Sequence, residues 1–120
     1  MNIELTDKEF RRLLDLVYIG NWILNSTREK DRFEDYDILQ EKLFALCAKN
    51  GMNALISRWQ GHIFPSSAYE NGGIHEAIAD YEDAVFFDIL AEELARRDMD
   101  YPEITAENRD ELAAETDRYL

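Results

Sequence analysis

Apolar positions early in the chain recur with helical spacing. Thr6 and Glu9 hold the Ser/Thr-x-x-Glu spacing of a capping box, in which each side chain takes up a backbone N–H that the first turn leaves unpaired. Leu5 and Phe10 stand at the staple positions beside it. Between Leu13 and Leu24, apolar side chains cover most of the helix circumference rather than one stripe, as expected of a central helix or an oligomer contact. The pattern predicts a helix over 6–25. Gly20 within it weakens the helix by about 1 kcal/mol against alanine, which points to a close helix crossing there.

A polar connector with alternating charge, Arg28 to Arg32, leads to a second helix predicted over 35–50. Tyr36, Leu39, Leu43, Leu46 and Cys47 form its amphipathic stripe, and Asn50-Gly51 is its stop, because glycine tolerates the left-handed conformation of a helix C-cap. Leu55, Ile56 and Trp59 suggest a short third helix over 53–60. The stretch 61–73 reads as the one long irregular segment, with Ser67 and Glu70 capping a single turn that Asn71-Gly72-Gly73 then breaks. A loop of this length inside a compact domain is more often functional or mobile than a short connector.

The longest helix is predicted over 74–97. Ile74, Ile78, Tyr81, Val85 and Ile89 make one stripe, while Phe86, Phe87, Leu90 and Leu94 point elsewhere. Such a helix packs between two neighbours, or gives one of Phe86 and Phe87 to an interface. A last helix over 105–119, capped by Thr105, carries only Leu112, Tyr119 and Leu120 as large apolar groups. The expected architecture is all-α: one domain over 1–120, a bundle of four main helices plus one short one, with the first and the longest helix central.

Composition narrows the class. A chain of 120 residues buries enough surface to fold without a metal or disulfide, and the single cysteine permits no intrachain bridge. The first residues lack the basic start and apolar core of a signal peptide, and no run approaches the roughly 20 apolar residues of a membrane span. A soluble, cytoplasmic protein without a membrane partner is expected. The net charge of −13 is uneven: residues 1–35 carry −2, residues 36–73 balance, and residues 74–120 carry −11. That field repels phosphates and favours a cationic partner, or serves solubility alone.

Candidate chemistry is sparse. His62 and His75 lack a Glu three residues before them, and His75-Glu76 does not extend to His-Glu-x-x-His, so no metal site is expected. Cys47 falls on a predicted buried stripe, where a thiol is a small core group rather than a nucleophile. Ser66 and Ser67 lie outside any Gly-x-Ser-x-Gly elbow, and no glycine-rich phosphate loop occurs. Helix two, Asn50-Gly51 and the short third helix imitate a helix-turn-helix, but the would-be recognition helix holds one Arg and the global charge is negative, so no nucleic-acid partner is expected. No catalytic residue and no cofactor are assigned.

Two function classes fit these residues. The first is a non-enzymatic interaction module, self-associating as a homodimer or docking a basic protein, with Tyr18, Trp22, Phe86 and Phe87 as candidate interface residues. The second is a small-molecule binder or small enzyme whose pocket gathers Trp59, His62, Phe64, Tyr69 and His75.

Overall fold

A computed structural model describes every residue, Met1–Leu120, and divides into two compact units, Met1–His75 and Glu76–Leu120. The chain is mostly helical, as the all-α expectation has it, but that expectation is incomplete, because a small two-stranded antiparallel sheet accompanies the helices. No helix is long and apolar enough to cross a membrane.

Helix α1 (Asp7–Asn25) begins as its sequence dictates. The Thr6 hydroxyl accepts the Glu9 N–H at 3.1 Å, and the Glu9 carboxylate accepts the Thr6 N–H at 3.0 Å. Its buried residues, Phe10, Leu14, Tyr18, Asn21 and Asn25, lie three or four positions apart on a single stripe. The apolar circumference expected of a central helix is therefore corrected: Leu16 and Ile23 face outwards. The close crossing expected at Gly20 is also absent, since a Cβ there meets nothing within 4 Å.

Helix α2 (Glu34–Ala45) tightens into a 3-10 turn over Leu46–Asn50, and Gly51, at φ 70°, ends it in the left-handed region as the Asn-Gly pair anticipates. The expected stripe is rotated. Phe44 and Cys47 are buried, whereas Tyr36, Leu39 and Leu46 are exposed. Polar partners on α1 cause the rotation: Asn21 donates to Asp37 at 3.0 Å and to Gln40 at 3.1 Å, drawing that polar face inward.

The short helix expected over 53–60 is replaced. After a 3-10 turn at Asn53–Leu55, strand β1 (Ile56–Trp59) pairs antiparallel with β2 (His62–Pro65), in the register Ile56 to Pro65 and Trp59 to His62. Gln60 and Gly61, at φ 49° and 79°, form a two-residue turn whose left-handed backbone matches the strand twist. β-branched and aromatic side chains at Ile56, Trp59, Ile63 and Phe64 suit extended backbone. This hairpin removes the candidate recognition helix, and with it the helix-turn-helix imitation.

Nor is 61–73 irregular. Beyond β2, Ser66 rather than Ser67 caps a single turn α3 (Ser67–Tyr69): its Oγ accepts the Tyr69 N–H at 3.1 Å and donates to the Ala54 carbonyl at 2.6 Å. A π turn over Glu70–Ile74 leads directly into α4 (His75–Asp98), with Gly73 at φ 111° absorbing the kink. The core of the first unit gathers Phe10, Leu14, Tyr18, Phe44, Cys47, Ile56 and Tyr69. Tyr69 meets Phe44 edge-on at 5.0 Å and Tyr18 at 5.2 Å.

The second unit comprises α4 from Glu76 onward and α5 (Arg109–Asp117). Its buried apolar residues are Ile78, Ala91, Ala95 and Leu112. Between the helices, Asp100 and Tyr101 take positive φ, and the Tyr101 N–H returns to the Arg96 carbonyl at 2.8 Å. The expected start at Thr105 shifts to Arg109, because Asn108 closes a turn first: its Oδ1 accepts the Thr105 N–H and its Nδ2 donates to the Glu103 carbonyl, each at 2.8 Å. Tyr119 donates to the Asp98 carboxylate.

Candidate functional site

Within the first unit, α1, α2 and β2 enclose a groove of about 660 Å³. Tyr18 and Trp22, one turn apart, form the α1 wall; Asp37 and Glu41, one turn apart, belong to α2; Phe64 lies on β2. Glu70 from the π turn also lines the groove.

Hydrogen bonds fix these walls. The Asn25 amide matches the backbone of Phe33: its Oδ1 accepts the Phe33 N–H at 2.8 Å, and its Nδ2 donates to the Phe33 carbonyl at 3.1 Å. The same Nδ2 reaches the Asn21 Oδ1 at 2.7 Å, and Asn21 holds Asp37. Arg32 grips Asp37 with two nitrogens at 2.8 and 2.9 Å. Chiefly through Arg32, Asp37 is held below the usual carboxylate range. In β2, Ile63 stands one place beyond the pair that flanks the turn, so its N–H points out of the hairpin. The Glu41 carboxylate accepts it at 2.8 Å and meets His62 Nδ1 at 3.1 Å. That backbone bond holds the pKa of Glu41 down.

Behind Tyr18 lies an aromatic and ionic chain. Tyr18 Oη and His75 Nε2 are 2.7 Å apart, and the His75 ring meets Trp22 edge-on at 4.9 Å. Burial first, and Glu70 second, push the Tyr18 phenol up to about 12, so at neutral pH it keeps its proton. Tyr69 donates to Asp15 at 2.8 Å, Arg11 pairs with Asp15 at 2.6 Å, and the Arg11 guanidinium lies 4.8 Å from the Tyr69 ring centre. Burial, followed by Asp15, raises the Tyr69 phenol further.

The candidate pocket residues are thus distributed. His62 and Phe64 line the groove; Tyr69 is core; His75 stands behind Tyr18 and Trp22; Trp59 is exposed on the hairpin and outside the groove. Of the candidate interface residues, Tyr18 is buried and Trp22 is half-buried in the groove wall. Phe86 and Phe87 are 58% and 59% exposed and meet edge to face at 5.4 Å, so α4 does not cover both as a helix packed between two neighbours would. Sequence reasoning missed Asn21, Asp37, Glu41 and Glu70. A signal existed for one of them: Asn21 interrupts an otherwise apolar run at a position in phase with Leu14 and Tyr18.

As for reactivity, Cys47 is fully buried, and burial pushes its thiol up despite the nearby Arg11 charge; such a group is a poor nucleophile. His62 is committed to Glu41 rather than to a thiol or hydroxyl. The carboxylates and histidines form no group of three or more able to hold a metal ion. Comparison with protein-family models, with curated proteins and with solved structures finds no match.

Proposed function

We propose that the chain is a non-enzymatic protein-interaction module and that the exposed apolar strip of α4 is its docking surface. One observation carries this reading. Phe86, Ile89 and Leu90 fall at the i, i+3, i+4 positions of one helix face, and each is at least 40% exposed. Phe87 and Tyr81 add further exposed rings on the same helix. Apolar side chains concentrated on one helix face and left to water mark an interaction surface more often than solitary exposed residues do. Their spacing is that of a helix recognised in an apolar groove.

Charge selects the partner. Over His75–Asp98 the helix holds eight acids and two bases. Two copies placed side by side would oppose like charges, whereas a segment with an apolar strip bordered by Lys and Arg would meet opposite ones. A basic amphipathic protein segment is the fitting partner.

The test uses a defined probe, a synthetic amphipathic helix of leucine and lysine, titrated into the full chain. Binding should weaken with added salt, and by about tenfold or more in the Phe86→Ser/Leu90→Ser double variant, which keeps every charge. Equal binding by both chains would remove the α4 strip from the reading. A homodimer seen by sedimentation and lost in the same variant would replace the basic partner with a second copy.

A further inference from the structure

Every residue that lines the groove of the first unit belongs to Met1–His75. We propose that the groove between α1, α2 and β2 binds a small organic cation, an ammonium group carried on an apolar body. Its volume, about 660 Å³, lies within the range of small-molecule sites. Aromatic rings come from two sides, Tyr18 and Trp22 from α1 and Phe64 from β2. The faces of such rings are negative and attract cations, most strongly where water is excluded.

The charged groups of the groove do not cancel. Arg32 is engaged by Asp37 through two hydrogen bonds, and Glu41 by the Ile63 N–H and His62. Glu70 lines the same groove without an ion-pair or side-chain hydrogen-bond partner, and its charge is felt at the Tyr18 phenol. An anion would meet three carboxylates, with the one arginine already occupied. A metal ion would need ligands that converge, and these do not. A group that spreads one positive charge over a larger body and stacks on aromatic faces fits the walls. An ammonium beside Glu70 with its apolar body against Trp22 and Phe64 satisfies both requirements.

The experiment compares three probes of matched size and different charge: phenethylamine, 2-phenylethanol and phenylacetate. Each is titrated into the isotope-labelled full chain at neutral pH and followed by nuclear magnetic resonance. Phenethylamine alone should shift the Trp22 indole N–H and the Tyr18, Ile63 and Phe64 amides in a saturable way. Glu70→Gln should weaken that binding by about threefold or more, the scale of one partly screened charge, with the thermal midpoint unchanged. Phe64→Leu, which keeps apolar bulk but removes a ring at an exposed position, should weaken it as well. The proposal is overturned by equal shifts from all three probes, by no shifts, by amine shifts spread equally over α4 and α5, or by unchanged affinity in Glu70→Gln. None of these outcomes depends on the leucine–lysine helix that probes α4, so the two readings fail separately.

Discussion

The two units differ in what they do with apolar surface and charge. Met1–His75 carries −2 and closes a core around Leu14, Phe44 and Tyr69, with its buried amides and phenols hydrogen-bonded. Glu76–Leu120 carries −11, and two of its four buried apolar residues are the alanines Ala91 and Ala95. Its large side chains on α4, Tyr81, Phe86, Phe87, Ile89 and Leu90, stay in water. Alanine burial contributes little free energy compared with a buried ring or leucine. Folding stability therefore concentrates in the first unit, and the second leaves its largest apolar groups without an internal role.

The strongest way to break this contrast is to open the first core. Tyr69→Ala removes a fully buried ring between Tyr18 and Phe44 and leaves Asp15 without its phenol donor. A loss of about 3–5 kcal/mol is expected in urea unfolding; a loss under 1 kcal/mol would mean the ring is not the keystone of that core. A pH experiment probes the same side chains. Tyr18 is raised to about 12 and Tyr69 above the ordinary tyrosine value of 10, both chiefly by burial. Groups with raised folded pKa values contribute stability that is complete below about pH 10 and lost as pH rises through the folded values. Tyrosine absorbance should therefore show a late ionisation step coincident with loss of helix. Ionisation of all six tyrosines near pH 10 with the helices intact would contradict the burial of these two.

A smaller effect tests the amide that joins α1 to the connector. Asn25 is 1% exposed and pairs with both backbone groups of Phe33 and with Asn21. Asn25→Ala strands these partners, and a loss of about 2 kcal/mol is expected in the same unfolding assay. A neutral substitution would show that water replaces the amide at no cost.

The sequence disclosed some of these features and hid others for physical reasons. The capping box at Thr6 and Glu9, the stop at Gly51 and the four long helices are local signals, and local hydrogen bonds decide them. The hairpin was hidden because its turn is Gln60-Gly61 rather than Asn-Gly or Asp-Gly, and four-residue strands are too short to display a period of two. The face of α2 was misread because its apolar stripe competes with a polar one, Asp37 and Gln40, whose shared partner Asn21 stands on another helix. The groove was half legible. His62, Phe64 and Glu70 lie in the segment singled out, but the π turn that brings Glu70 to the groove and the pairing that brings Glu41 follow no spacing rule.

The sharpest form of the contrast is a substitution expected to do almost nothing to folding. Phe86→Ser removes a ring of the same class as Tyr69, but from a position 58% exposed on the α4 surface. Serine and phenylalanine have similar helix propensities, so the helix itself loses little. The ring surface already faces water, so little transfer free energy is forfeited, and surface changes of this kind fall within about 0.5 kcal/mol. Urea unfolding of Phe86→Ser should thus overlay that of the wild type, while binding of the leucine–lysine helix drops. A loss of 2 kcal/mol or more without any partner present would place Phe86 inside a folded core and return α4 to the role of a packing helix, dissolving the division of labour between the two units.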